Sequence, residues 1–155
     1  MAKSAVDISA IPTDELLKLE NQLCFPLYAC SKEVVRRYAP YLDALNLTYT
    51  QYLVMMALWE HDKLSVGELG ELLYLDSGTL TPLLKKMEEK GYVKRCRSAA
   101  DERRVNVQLT DEGRALKERA REVPLAMGQC VSIDSGEAAE LVRLLRKVLV
   151  NVRQS

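Results

Sequence analysis

The sequence has a single histidine, His61, and its four cysteines, Cys24, Cys30, Cys96 and Cys130, form no CxxC pair. Neither a tetrahedral zinc site nor a His-dependent nucleophilic triad can be assembled from that supply, so many enzyme classes are excluded and no metal or cofactor is expected. Also missing is any run approaching the roughly eighteen apolar residues that a membrane span requires. The first residues, Met-Ala-Lys-Ser-Ala-Val-Asp, lack the apolar core of a secretion signal. The expectation is a cytoplasmic protein, without a membrane partner, whose thiols rest reduced. There is no net charge either, because 22 Lys and Arg balance 22 Asp and Glu. Any attraction to a polyanion must therefore be local. No repeat or low-complexity tract divides the 155 residues, a length that suits one domain.

What is present is mostly helical periodicity. From Thr13 or Asp14 onward, Leu16, Leu17, Leu19, Leu23, Leu27, Val34 and Val35 recur at helical spacing. Pro26 interrupts them: with no N–H to donate to the carbonyl of Gln22, it predicts a kink or a restarted helix near Cys24. A short segment around Pro40 to Leu45 then leads to Thr48-Tyr49-Thr50-Gln51, which has capping-box form and opens a helix ending near His61. Ser65-Val66-Gly67-Glu68 is a second such box, followed by the apolar stripe Val66, Leu69, Leu72 and Leu73.

After a three- or four-residue turn, a helix starting at Asp76 or Ser77 directs Leu80, Leu83, Leu84 and Met87 inward. It stops at Lys90-Gly91, where glycine suits a left-handed cap. The alternating segments Tyr92 to Arg97 and Val105 to Leu109 flank a polar, charged connection and predict a β-hairpin. Thr110 caps a helix that is interrupted at Pro124 and continues through Cys130. Ser135 is the predicted cap of the last helix, whose stripe of Leu141, Leu144, Leu145, Val148, Leu149 and Val152 is longer than a small domain readily covers. Packing within one subunit would also produce such a stripe, but a second chain is its natural cover.

The fold class that results is mostly α with a small β-hairpin: capped helix, turn, capped helix, basic hairpin, the layout of a winged helix-turn-helix with a helical dimerisation region. At the start of the second helix Ser77, Gly78, Thr79 and Thr81 leave room for close approach to a duplex, and Lys85 and Lys86 lie further along, towards phosphates. Residues 85–104 hold eight basic and four acidic side chains, a local positive excess in a neutral chain. A charge run alone is more often just a solvated face, so the order of elements carries the argument.

The segment from Leu64 to Val93, with Asp101-Glu102-Arg103-Arg104, resembles the MarR family of winged-helix regulators, and the resemblance extends over nearly the whole chain. It implies one domain, 1–155, with residues 1–47 and 111–155 as the dimerisation region and 48–110 as the winged helix. A homodimer would address a pseudo-palindromic, double-stranded operator. The family pattern makes Asp101 a support for the wing and sends Arg103, beside Arg104, into the minor groove.

A cysteine on an apolar helix is ordinarily a small buried hydrophobe, and Cys30 and Cys96 are read that way. Cys24 differs, because the run from Leu19 to Ala29 resembles the organic-hydroperoxide-sensing OhrR branch of the family. By that resemblance Cys24 is the reactive thiol, and Tyr38 and Tyr49 of the other subunit donate hydrogen bonds to its sulfur. Cys130 is the resolving thiol of the two-cysteine type, pairing between subunits. Spacing alone would equally allow both tyrosines to be ordinary packing residues. The function implied is a repressor that binds DNA when reduced and releases it when an organic hydroperoxide oxidises Cys24. Two other readings stand beside it: a repressor released by a small phenolic or aromatic ligand, and a thiol peroxidase, which would not need a basic wing. His61 is read as a surface residue and Trp59 as a core anchor.

Overall fold

The computed structural model describes residues 11–97 and 104–154. Among them the chain forms α1 (Thr13–Leu16), a 3-10 turn (Leu19–Asn21), α2 (Cys24–Asp43), α3 (Tyr49–His61), β1 (Lys63–Ser65), α4 (Val66–Leu73) and α5 (Ser77–Glu89). There follow β2 (Val93–Arg97), β3 (Val105–Leu109), α6 (Asp111–Ala120), α7 (Glu122–Val131) and α8 (Ser135–Gln154).

Proline placement explains the helix starts. Pro26 is the third residue of α2 and Pro124 the third of α7, positions whose N–H would lack a helical partner in any case. The helix therefore restarts at Cys24, as the sequence predicts. Pro40 behaves differently: α2 runs through it to Asp43 instead of breaking. It forfeits only the bond to the carbonyl of Arg36, an exposed residue in the last turns, where water can replace it.

Both capping boxes form. Thr48 Oγ1 accepts from the N–H of Gln51 while Gln51 Oε1 accepts from that of Thr48, and Ser65 and Glu68 reciprocate in the same way. Asp76 and Thr110 cap α5 and α6. The cap of α8 is Asp134, not Ser135. Its Oδ1 accepts from the N–H groups of Gly136 at 2.7 Å and Glu137 at 2.9 Å, and Glu137 Oε2 accepts in return from Asp134 N–H.

The hairpin gains a strand that the sequence did not announce. β3 lies between β1 and β2, antiparallel to both, with Ser65 opposite Asn106 and Arg95 opposite Val107. Three residues between two helices are too few to display an alternation signal. The core fills the space among α3, α4, α5 and this sheet, with Val54, Met55, Leu58, Leu69, Leu80, Met87 and Val107 fully enclosed, and extends to Val123 and Met127 on α7.

Two close approaches fix the sheet to the helices. Gly91 takes φ +77°, turning the chain from α5 into β2. Gly113 packs so tightly on Tyr92 that an added Cβ would stand 2.0 Å from its carbonyl oxygen.

The ends of the chain are built otherwise. α8 has no buried residue, and Leu141, Leu144, Leu145 and Leu149 are each about two-fifths exposed or more. Leu17, Leu19, Leu23, Phe25 and Tyr28 are likewise uncovered. Surplus apolar surface therefore gathers on these two segments. Among the described residues no helix is long and apolar enough to cross a membrane.

Candidate functional site

Helices α4 and α5 meet across Tyr74, Leu75 and Asp76. Tyr74 closes α4 in the left-handed conformation, φ 57°, and Gly70 leaves space for the carbonyl of Leu75. Asp76 then starts α5: Oδ1 accepts from Thr79 N–H at 2.8 Å and Oδ2 from the Thr79 hydroxyl at 3.0 Å. These bonds hold the Asp76 carboxyl below its usual range. The last turn of α8 reaches the same turn, with the Arg153 guanidinium 4.8 Å from the centre of the Tyr74 ring.

On α5 the residues singled out from sequence share an open face. Ser77, Gly78, Thr79, Thr81, Lys85 and Lys86 are all exposed, while Leu80, Leu84 and Met87 are buried behind them. The Thr81 hydroxyl donates to the carbonyl of Ser77 at 2.7 Å, so it is already engaged within the helix. Pro82, passed over in the sequence, is exposed beside these residues. Arg104 is exposed at the start of β3, whereas Asp101 and Arg103 lie outside the described residues.

Cys24, Cys130, Tyr38 and Tyr49 lie on the helices outside α4, α5 and the sheet. Cys24 is the first residue of α2, exposed among the uncovered side chains of Leu23, Phe25 and Tyr28. Cys130 is exposed near the end of α7, a helix that packs on α2. Cys30 and Cys96 are also exposed, contrary to the reading of both as buried hydrophobes. The reason is position: Cys30 lies on the outer part of α2 and Cys96 on the edge strand β2.

Tyr38 and Tyr49 stand face to tilted face, with ring centres 4.9 Å apart, and Tyr52 continues the cluster 6.1 Å from Tyr38. Burial and then the neighbouring Tyr49 push the Tyr38 phenol above its ordinary value, so it remains a protonated donor at neutral pH. Trp59 stacks edge-on against Tyr52 and donates its indole N–H to the carbonyl of Gly113 at 2.9 Å. It serves as the anchor expected of it, while His61 is exposed at the end of α3.

The same architecture recurs in known proteins. The model of the transcriptional regulator SarA/Rot family matches residues 36–120. The organic hydroperoxide resistance transcriptional regulator of Bacillus subtilis is 57% identical over 108 residues, 70% of this chain and 74% of that protein. The AbfR protein of Staphylococcus epidermidis, reduced and bound to DNA, superposes with a TM-score of 0.78 at 34% identity, covering 92% of this chain and 98% of that one. Overoxidised AbfR bound to DNA gives 0.71 at 36% identity, covering 89% and 99%. Disulfide-formed AbfR gives 0.62 at 35%, covering 88% and 96%. The chain belongs to the winged-helix transcriptional regulators of the MarR and SarA/Rot type. Within them it sides with the OhrR branch.

For a winged-helix regulator the relation of wing to second helix is decisive, and here sequence reasoning missed a strut. Glu88 on α5 accepts from the backbone N–H of Arg95 through Oε1 and from its guanidinium through Oε2, at 2.9 Å, 2.9 Å and 2.7 Å. These bonds hold the Glu88 carboxyl below its usual range. Arg95, counted with the positive excess, is thus committed to tying β2 to α5. A Glu seven residues before an Arg across a predicted turn was the only signal available.

Proposed function

We propose that this chain is a redox-sensing repressor that, as a reduced homodimer, binds a pseudo-palindromic operator and releases it when an organic hydroperoxide oxidises Cys24. Residues 48–110 form the DNA-binding region of this reading, and residues 1–47 and 111–155 the dimerisation region. The observation that carries it is the position of Cys24: an exposed thiol at the first turn of a helix, inside the apolar surface left for a second subunit.

In the reduced dimer α5 enters the major groove, with Ser77, Gly78, Thr79 and Thr81 near base edges and Lys85 and Lys86 toward phosphates. By the family pattern Asp101 supports the wing and Arg103 enters the minor groove, with Arg104 among the DNA-binding residues. Tyr38 and Tyr49 of the partner subunit donate hydrogen bonds to the Cys24 sulfur and stabilise its thiolate.

The thiolate attacks the terminal oxygen of the hydroperoxide. The O–O bond breaks, the alkoxide leaves and takes up a proton as the alcohol, and Cys24 becomes a sulfenic acid. Cys130 of the partner subunit then attacks the Cys24 sulfur as thiolate, expelling hydroxide, which is protonated to water, and closing a disulfide between subunits. That covalent link shifts the winged helices so that the two half-sites are no longer reached together. The existence of AbfR both overoxidised on DNA and in a disulfide form supports the disulfide as the releasing step. A cell-interior location and a regulatory, non-catalytic role accord with this reading.

The test is operator retardation by the reduced dimer, loss of the retarded band on adding cumene hydroperoxide, and its return with dithiothreitol. Retention of the band through full thiol oxidation contradicts the proposal.

A further inference from the structure

A helix ends with carbonyl groups that have no partner in the helix itself, and its C-terminus carries partial negative charge. At the end of α2 the carbonyl of the C-cap Ala44 is one of these, and the turn that follows adds the carbonyls of Leu45 and Asn46, the last in the left-handed conformation at φ 54°. Each accepts a hydrogen bond from a different side chain, two from the winged-helix region and one from α6, the helix that follows it. Arg119 of α6 donates to Ala44 O at 2.6 Å, the Tyr92 hydroxyl to Leu45 O at 3.2 Å, and Lys90 Nζ to Asn46 O at 2.7 Å.

The donors are not incidental surface groups. Lys90 is the C-terminal cap of α5 and also donates to Gln51 Oε1 at 3.0 Å, the oxygen that closes the capping box of α3. Tyr92 stands between α5 and β2, and its own carbonyl accepts from Thr110 N–H at 3.1 Å where Gly113 presses against it. Its hydroxyl therefore grips the turn that leaves α2 while its backbone grips the junction of β3 and α6.

At the far end of α2, about 30 Å along its axis at 1.5 Å per residue, is Cys24. We propose that Lys90, Tyr92 and Arg119 are positioning residues, a clamp through which displacement of the Cys24-bearing helix is transmitted to α5 and the wing. The inference rests on the redox-switch reading above. The backbone hydrogen bonds of α2 couple its two ends, apart from the one forfeited at Pro40, and hydrogen bonds fail over a few tenths of an ångström beyond their normal range. When disulfide closure pulls on one end of α2, the three carbonyls at the other end must carry their donors along or lose them.

The experiment uses the full-length dimer and a duplex that the reduced wild-type protein selects from a random-sequence pool. Operator affinity is measured before and after cumene hydroperoxide for wild type and for the Tyr92→Phe, Arg119→Gln double variant, with disulfide-linked dimer quantified on a non-reducing gel. The clamp predicts equal disulfide yield, reduced-state affinity within about threefold of wild type, and an oxidised-to-reduced ratio of dissociation constants at least about tenfold smaller. A purely structural role lowers the melting temperature and leaves that ratio unchanged, which overturns the proposal. So does loss of reduced-state binding by a variant whose circular dichroism shows it folded. If the double variant does not fold, Tyr92→Phe removes only one hydroxyl and is expected to shrink the ratio about threefold, an unchanged ratio again overturning the clamp. A wild-type protein whose affinity does not respond to oxidation refutes the redox switch itself, and the clamp with it, before any variant is compared.

Discussion

Cys24 and Tyr38 stand on one continuous helix, fourteen residues and therefore about 21 Å apart along its axis. The Tyr38 hydroxyl cannot reach the sulfur of its own chain, and Tyr49, packed on Tyr38, shares that limit. A thiol site that uses these tyrosines is consequently a site between subunits. If it is, Tyr38→Phe slows loss of the Cys24 thiol to cumene hydroperoxide by about tenfold or more, the scale of a hydrogen bond to a charged group. Reduced-state operator binding is retained. Stopped-flow thiol consumption measures this, and an unchanged rate removes Tyr38 from the sensor.

Stability should depend on acid in a direction set by three carboxylates of the winged helix, with Glu140 of α8, bonded to Arg143, acting the same way. Glu88, bonded to Arg95, Glu68, bonded to Ser65, and Asp76, bonded to Thr79, are all held below their usual range in the fold. Their contribution is complete above the unfolded-state values and is lost as pH falls through the lowered folded-state values. The melting temperature of the reduced protein is therefore expected to decline below about pH 4.5. Glu88→Gln should start lower and decline less; a variant with the wild-type acid profile contradicts the strut.

Gly113→Ala places a Cβ against the Tyr92 carbonyl oxygen, 2.0 Å away unless the backbone yields. Moving the start of α6 away from Tyr92 to relieve this contact is expected to cost about 1–3 kcal/mol, the range for overpacking a well-filled site. Chemical denaturation measures it. A neutral result would show that the α6 start is looser than its contacts indicate.

Leu145→Asp tests the association face. The residue is partly exposed on a helix that buries nothing within its own chain, so a carboxylate there leaves the subunit fold intact. An unpaired charge inside an apolar interface is costly, and sedimentation is expected to show a monomer with weakened operator binding. A stable dimer that still binds DNA would move the interface elsewhere.

The elements most legible in the sequence were those specified by local chemistry. Thr48, Ser65 and Thr110 announce their helices because an N-cap depends on residues three apart. Pro26 and Pro124 announce two restarts because a missing N–H acts on its immediate neighbours. The exposed face of α5 followed from helical period. What stayed hidden depends on distance in sequence: β1 exists through its pairing with β3, and Glu88 finds Arg95 only after a turn sets their spacing. The grip on the end of α2 joins Arg119 to Ala44 across 75 positions. Pro40 misled because the rule against helix interiors weakens in a last turn, and Ser135 because Asp134 can reach the same amides from one residue earlier. The thiol and tyrosine roles came from family resemblance, since the exposure of all four cysteines within one chain does not by itself rank them.

Operator occupancy under cumene hydroperoxide for wild type, Cys24→Ser and Cys130→Ser decides whether oxidation of Cys24 and its closure onto Cys130 release the operator. A non-reducing gel is run on the same samples. The expected result is release and a reducible covalent dimer for wild type only; Cys24→Ser stays bound and unlinked, and Cys130→Ser consumes peroxide yet stays bound without forming the dimer. Release of DNA by peroxide-treated Cys24→Ser, at the wild-type dose, would contradict it.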